Sequence, residues 1–137
     1  MSAVVLDASA AIALIVESQE TEASIAFGRQ MPPTLTVPAI FAVEVRHALL
    51  KLERRRVIPD HSYGAALEDL EAALTFADWP STQALRRVMS QARTWGLGYF
   101  EALYLDLAEQ SGGVVVTRDG GMIAAADLAG VPVIDLR

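Results

Sequence analysis

From Ala3 to Val16 the chain is apolar at every position except Asp7 and Ser9. The opening "AVVLD" (3–7) has the continuous apolar character of a strand covered on both faces. Ser9 reads as an N-cap, and "AAIALIVE" continues as a helix. A second short helix is expected from Glu20 to Gln30, with "MPP" stopping it. "TLTV" (34–37) is short and β-branched, a second strand. Pro38 suits the opening of the next helix, because its missing N–H costs nothing there. From Ala39 to Arg56 the apolar spacing is helical, and Asp60 is a good N-cap for another helix running to about Ala73. "LTFADW" (74–79) reads as a third strand, and Ser81 caps a helix to about Trp95. "GLG" (96–98) breaks the chain before a helix from Tyr99 to about Gln110. "GGVVVT" (112–117) is a fourth strand, "AAADLAG" closes a short helix with a glycine, and "PVIDL" is a final strand.

Strands alternate with helices throughout, which predicts an α/β fold with a mostly parallel sheet flanked by helices. No repeat, linker or low-complexity segment interrupts the pattern, so residues 1–137 are expected to form a single domain. In such sheets ligands bind beyond the carboxyl ends of the strands, near the switch in strand order. Asp7 ends the first strand and Asp119 follows the fourth, so both are expected at that edge.

Composition narrows the chemistry. Apolar residues make up 53 % of the chain, which argues against disorder, and there is no cysteine. Disulfides, thiolate nucleophiles and zinc–thiolate sites are thereby excluded. Asp7 interrupts the first apolar run, no basic segment precedes it, and no stretch approaches the length of a membrane span. A soluble, cytoplasmic protein is expected. The net charge of −6 argues against non-specific binding to duplex nucleic acid. Setting four of the seventeen acidic residues aside in one internal site leaves thirteen against eleven basic ones. Five of those basic residues (Arg46, Lys51, Arg54, Arg55 and Arg56) fall between positions 46 and 56. This strip is compatible with a nucleic-acid partner, although an arginine run such as 54–56 is most often a solvated helix end that suits the C-terminal dipole.

Four carboxylates stand on apolar backgrounds. Asp7 sits inside its apolar run, where an unpaired charge is expensive. Glu44 shares a helical stripe with Ile40, Phe41 and Ala48, and a solvated glutamate is expected instead beside Lys51 and Arg55. Glu101 aligns with Leu105 and Ala108, while Asp106, Glu109 and Gln110 are expected on the wet face. Blander roles exist for three of them: an arginine partner for Glu44, dipole stabilisation for Glu101, helix capping for Asp119. Together they place four negative charges near one sheet edge, where like charges raise one another's pKa. A hard divalent cation relieves this, and an all-oxygen donor set favours Mg²⁺ or Mn²⁺ over zinc.

Other chemistries find less support. His47 and His61, the only histidines, read as surface or packing residues. No phosphate-binding loop occurs, and "GLG" lacks the third glycine and the preceding strand. Ser9 has no histidine–acid pair to activate it. A phospho-acceptor role for Asp7 would want a second aspartate beside it and a lysine at a strand end, and the only lysine, Lys51, lies in a helix. Asp135 shows no partner pattern.

"VVLDASAAIAL", "PAIFAVEVRHAL", "YFEALYLDLAE" and "VVVTRDGGM" resemble, in order and spacing, the four acidic blocks of PIN-domain ribonucleases, with the nearest likeness to VapC-type toxins of bacterial toxin–antitoxin pairs. The resemblance spans Ala3 to Val133. It implies a five-stranded, three-layer PIN-like fold and Mg²⁺-dependent endoribonuclease activity on RNA. Asp7, Glu44, Glu101 and Asp119 would form the catalytic, metal-holding site, with Ser9 and Thr117 as hydrogen-bonding accessories. It also implies a homodimer, and a cognate antitoxin whose C-terminal segment occupies the acidic site. The third block departs from its common tyrosine–aspartate–alanine form, reading Phe100, Glu101, Ala102. Glutamate keeps the charge and adds a methylene, so it could meet a metal directly or through water. The competing reading is a non-catalytic PIN-like module that recognises a partner peptide or RNA.

Overall fold

In the computed structural model, which describes residues 2–59 and 62–137, the expected alternation of strands and helices is present. In chain order the elements are β1 (Val4–Leu6), α1 (Ala8–Ile15), a 3-10 turn (Glu17–Gln19), α2 (Glu22–Arg29), β2 (Leu35–Val37), α3 (Phe41–Arg54) and α4 (Gly64–Ala73). There follow β3 (Leu74–Phe76), α5 (Thr82–Trp95), α6 (Tyr99–Ser111), β4 (Val114–Thr117), α7 (Gly120–Ala129) and β5 (Val133–Asp135).

The strands form one sheet in the order β3-β2-β1-β4-β5, and every pairing is parallel. The chain winds outward from β1 through β2 to β3, then returns to place β4 on the other side of β1. The switch in strand order therefore lies between β1 and β4. Successive residues of a strand point to opposite faces, and Val5 and Leu6 are both fully buried, as are Val115 and Val116. Both faces of the sheet centre are thus covered by helices, which is why these strands read as unbroken apolar runs. The edge strands are more open, and Phe76 of β3 remains exposed. Its ring meets Phe41 edge-on at 6.2 Å, which anchors the first turn of α3 to the sheet edge.

Gly113 is fixed by packing. A Cβ there would lie 2.0 Å from the carbonyl oxygen of Ala3. Its absence lets the chain enter β4 closely enough for Val114 N–H to donate to that same oxygen at 3.0 Å.

Several boundaries differ from the sequence expectation. Asp7, not Ser9, caps α1: its backbone is still extended, and its carboxylate accepts from Ala10 N–H in the first turn. Ser9 is already inside the helix. The helix stops at Ile15, two residues short of Glu17, which opens the 3-10 turn instead. Helix α2 starts at Glu22 behind a reciprocal cap between Thr21 and Ser24. Strand β3 covers half of 74–79, because its only ladder partner is the three-residue β2. The cap expected at Asp60 and the neighbouring His61 lie outside the described residues. Among the described residues, no helix is long and apolar enough to cross a membrane.

Candidate active site

Asp7 leaves the end of β1 and turns back over the start of α1, in a buried position. One carboxylate oxygen accepts from Ser9 Oγ at 2.7 Å and from Ala10 N–H at 2.8 Å. The other accepts from the hydroxyl of Thr117, at the end of β4. A carboxylate has about four lone-pair positions, and three are occupied by donors from its own scaffold. Burial drives the Asp7 pKa up, the three donors act against that rise, and the charge of Asp119 adds to it.

The hydroxyls of Ser9 and Thr117 serve both sides of the switch. Each has one proton, and both protons go to Asp7. Their oxygens then accept from the next strand's loop: Ser9 Oγ from Arg118 N–H at 3.1 Å, Thr117 Oγ1 from Asp119 N–H at 3.0 Å. The loop after β4 is thereby set against α1. Asp119 caps α7 through Met122 N–H at 3.0 Å, the bland role that its sequence position suggested, while its side chain also borders a cleft. It fills both roles.

That cleft, about 330 Å³, is lined by Asp7, Glu44, Glu101 and Asp119, with Ser9 beside them. The fold brings together all four carboxylates from four different elements. Glu101 sits in the first turn of α6 and leans back over Gly98, where a Cβ would lie 3.3 Å from its Oε1. Its pKa is raised, first by burial and then by the charges of Asp119, Glu44 and Asp7. Glu44 is half-buried on α3, at the margin of the stripe formed by Phe41, Val45 and Leu49.

Two expectations about neighbouring residues are corrected. Asp106 is not on the wet face of α6. It is buried, and Arg87 of α5 meets it with two N–H···O bonds of 3.0 Å. The helical repeat placed it away from Glu101 correctly, but α5 packs over that side of α6. Lys51 is not opposite Glu44 either. Seven residues apart on a helix, the two share a face, and Lys51 lines the same cleft. His47, one turn along from Glu44, lines it too.

Tyr104 was not singled out in the sequence. It is buried, lines the cleft, and its hydroxyl has no hydrogen-bond partner among the described residues. Burial, and then the neighbouring Glu44, push its pKa well up, so it stays a neutral phenol. The available signal was its position one turn after Glu101 on the same helix.

The donor set fits a hard divalent cation in kind: carboxylates and hydroxyls, no thiolate, and acids that repel one another. Among the described residues, no three acidic or histidine side chains stand close enough around one point to hold an ion as they are placed. Glu44 and Glu101 reach the cleft on long side chains, whereas Asp7 is locked by its three donors.

Residues 4–128 match the family model described as PIN domain. The chain belongs to the PIN domain family. PIN domains are generally nucleases. This PIN domain is similar to PAE2754 from Pyrobaculum aerophilum, with 25 % identity, a TM-score of 0.65, and coverage of 97 % of this chain and 91 % of that one. It shares the fold of FitAcB from Neisseria gonorrhoeae at 22 % identity, with a TM-score of 0.62 and 95 % of each chain covered. No curated protein sequence matches it. The fold expected from the sequence, five parallel strands flanked by helices, is the fold of this PIN domain.

Proposed function

We propose that this PIN domain is a Mg²⁺-dependent endoribonuclease and the toxin of a type II toxin–antitoxin pair. The observation that carries the reading is the convergence of Asp7, Glu44, Glu101 and Asp119 in one cleft beside the β1–β4 switch. Asp7 and Glu101 have raised pKa values, first through burial and then through the charges of other acids of the cleft. Such a cleft favours a bound cation over four isolated anions.

Asp7, Glu44 and Glu101 would hold the ion, with Glu101 acting directly or through water. Asp119 would hold a second ion or orient the attacking water. A divalent cation in such a site neutralises charge on a phosphate and lowers the pKa of bound water. Ser9 and Thr117 each donate to the Asp7 carboxylate, which aims it and works against the upward push of burial on its pKa. Tyr104 presents a neutral hydroxyl beside Glu44.

Two partners belong to the same reading. An antitoxin would silence the nuclease by placing a cationic side chain among the acids. A second copy would cover the exposed aromatic patch formed by Trp79 and Phe100, which border one apolar pocket away from the acids. The test is cleavage of a labelled, unstructured RNA by purified protein with Mg²⁺, with EDTA, and by Asp7→Asn with Mg²⁺. Cleavage only in the first sample is expected. RNA that stays intact in all three but is retained by the protein would favour the non-catalytic binding module.

A further inference from the structure

An acidic cleft has a difficulty with its own substrate. A bound cation balances charge at one phosphate, but each neighbouring phosphate of a polynucleotide still meets carboxylates. The chain as a whole, at −6, offers no general attraction. Compensation has to be local.

Among the residues lining the cleft, the one lysine or arginine is Lys51. It stands on α3 seven residues after Glu44, and Arg55 follows four residues later at the helix end. At 100° per residue, Glu44, Lys51 and Arg55 lie within about 20° of one line. Lys51 is about 10 Å along that line from Glu44, and Arg55 about 6 Å farther. Both side chains are exposed, so their charges cost little to maintain. Arg54 lies about 80° off that line and Arg56 has left the helix, and three cations away from that line are held by partners. Arg46 makes a two-bond pair with Glu71 at 2.7 Å, Arg118 donates to the Gln19 carbonyl, and Arg87 is held by Asp106. The other bordering carboxyl residues, Asp7, Glu44, Glu101 and Asp119, are acidic.

We infer that Lys51 and Arg55 form the entry track for the RNA strand: Lys51 binds the phosphate next to the one cleaved, and Arg55 the phosphate beyond it. This rests on the nuclease reading above and adds the direction from which the substrate arrives, along α3 toward Glu44. An ammonium is a point charge that grips phosphate without demanding base or sugar geometry. Contacts of this kind position the strand and carry no sequence information. Lys51 is therefore a positioning residue, and its loss weakens substrate binding without changing the chemical step.

The test measures binding of a labelled, unstructured oligoribonucleotide across a salt series, in an Asp7→Asn background that does not cut it. On single strands, each lost phosphate contact lowers the slope of log K against log salt by about 0.7. Lys51→Ala is expected to lower it by one such step, and Lys51→Ala with Arg55→Ala by two. Lys51→Arg keeps the slope. Arg93→Ala removes the same charge from an exposed site on α5 and is expected to leave the slope unchanged. In the active protein, Lys51→Ala should raise KM several-fold with kcat unchanged. Equal slopes for Lys51→Ala and Arg93→Ala, or a fall in kcat at constant KM, would overturn the track while the nuclease reading stands. Absence of RNA binding and cleavage by the parent protein would remove both.

Discussion

The hydroxyl of Thr117 donates to the carboxylate of Asp7 across 110 positions of sequence, joining the carboxyl ends of β4 and β1. With Ser9 Oγ and Ala10 N–H on the other oxygen, this bond leaves Asp7 one free lone-pair direction. The aspartate at the strand end is thus a helix cap, a clasp between the two central strands and a wall of the cleft. The apolar run around it is explained by its scaffold: the carboxyl group is buried, but it is not alone.

Asp7→Asn keeps the cap, because asparagine caps as well as aspartate does, and its amide can donate to Thr117 Oγ1. Cleavage should nonetheless fall by roughly a hundredfold or more, as expected when several kcal/mol of charge stabilisation at a metal-assisted site is lost. The pH dependence has a definite sign. Asp7 and Glu101 are held above their ordinary values of 3.8 and 4.5. The folded protein therefore binds these protons more tightly than the unfolded chain does. Their stabilising contribution is complete below those values and is lost as pH rises through the folded pKa. Glu71 and Asp135, lowered by Arg46 and Arg137, act in the opposite sense. The difference between wild type and Asp7→Asn isolates one group. Metal-free melting curves should show the variant gaining on wild type from pH 4 towards neutrality, and a widening deficit would contradict the assignment.

Mg²⁺ or Mn²⁺ should raise the melting temperature of the wild type, because a ligand of the folded site stabilises it by mass action. Glu101→Gln should shrink that rise. Asp127→Asn, an exposed site on α7, should leave it intact. An equal loss in the two variants would mean that the ion binds through diffuse surface charge.

Asp106 and Glu101 share α6 and divide its acidic work. Arg87 spans both oxygens of Asp106 at 3.0 Å, with the carboxylate buried and the guanidinium partly in water. Asp106→Ala should cost about 1–2 kcal/mol in urea unfolding, the scale for a bidentate pair at the edge of the core. The melting shift caused by Mg²⁺ should be unaffected. If that shift disappears in a protein that still folds, Asp106 belongs to the site after all.

Trp79 and Phe100 are exposed beside an apolar pocket. Aromatic side chains of this size dominate interface energetics when covered. Trp79→Ser should weaken self-association in sedimentation experiments and leave the melting temperature within a few degrees. A chain that is monomeric before the substitution, across the micromolar range, would refute the dimer.

The order of elements was legible because the central strands are covered on both faces and the helices keep their period. What sequence periodicity could not supply was the neighbour on each face. Asp106 looks solvated on an isolated α6, and only the packing of α5 buries it. Ser9 looks like a cap because serine favours that position. Asp7 takes the role because β1 ends one residue earlier than the apolar run suggests. Glu44 was legible as an acid near an apolar stripe, whereas Glu101, expected in line with Leu105 and Ala108, is exposed at the rim of the cleft. Lys51 was misplaced through neglect of the seven-residue repeat, and Tyr104 was hidden because a tyrosine in an apolar helix usually reads as core.

An arginine-bearing partner segment should bind across the acidic cleft and compete with the metal. A guanidinium remains charged at any working pH and meets carboxylates through two parallel N–H···O bonds. The Arg87–Asp106 and Arg46–Glu71 pairs display that geometry elsewhere in this chain. Inserted beside Asp7 and Glu101, such a group would supply the positive charge that the cleft otherwise takes from an ion. It would also block the water and phosphate positions, which would keep a toxic nuclease silent in its own cell. Titration of the partner segment into metal-free protein should therefore give tighter binding than titration in excess Mg²⁺. A double variant, Glu44→Gln with Asp119→Asn, should bind it more weakly under both conditions, since two of the four charges are gone. Identical affinity for both proteins, indifferent to Mg²⁺, would mean that the partner restrains the enzyme from another surface. Asp7 would then have a metal as its only cationic companion.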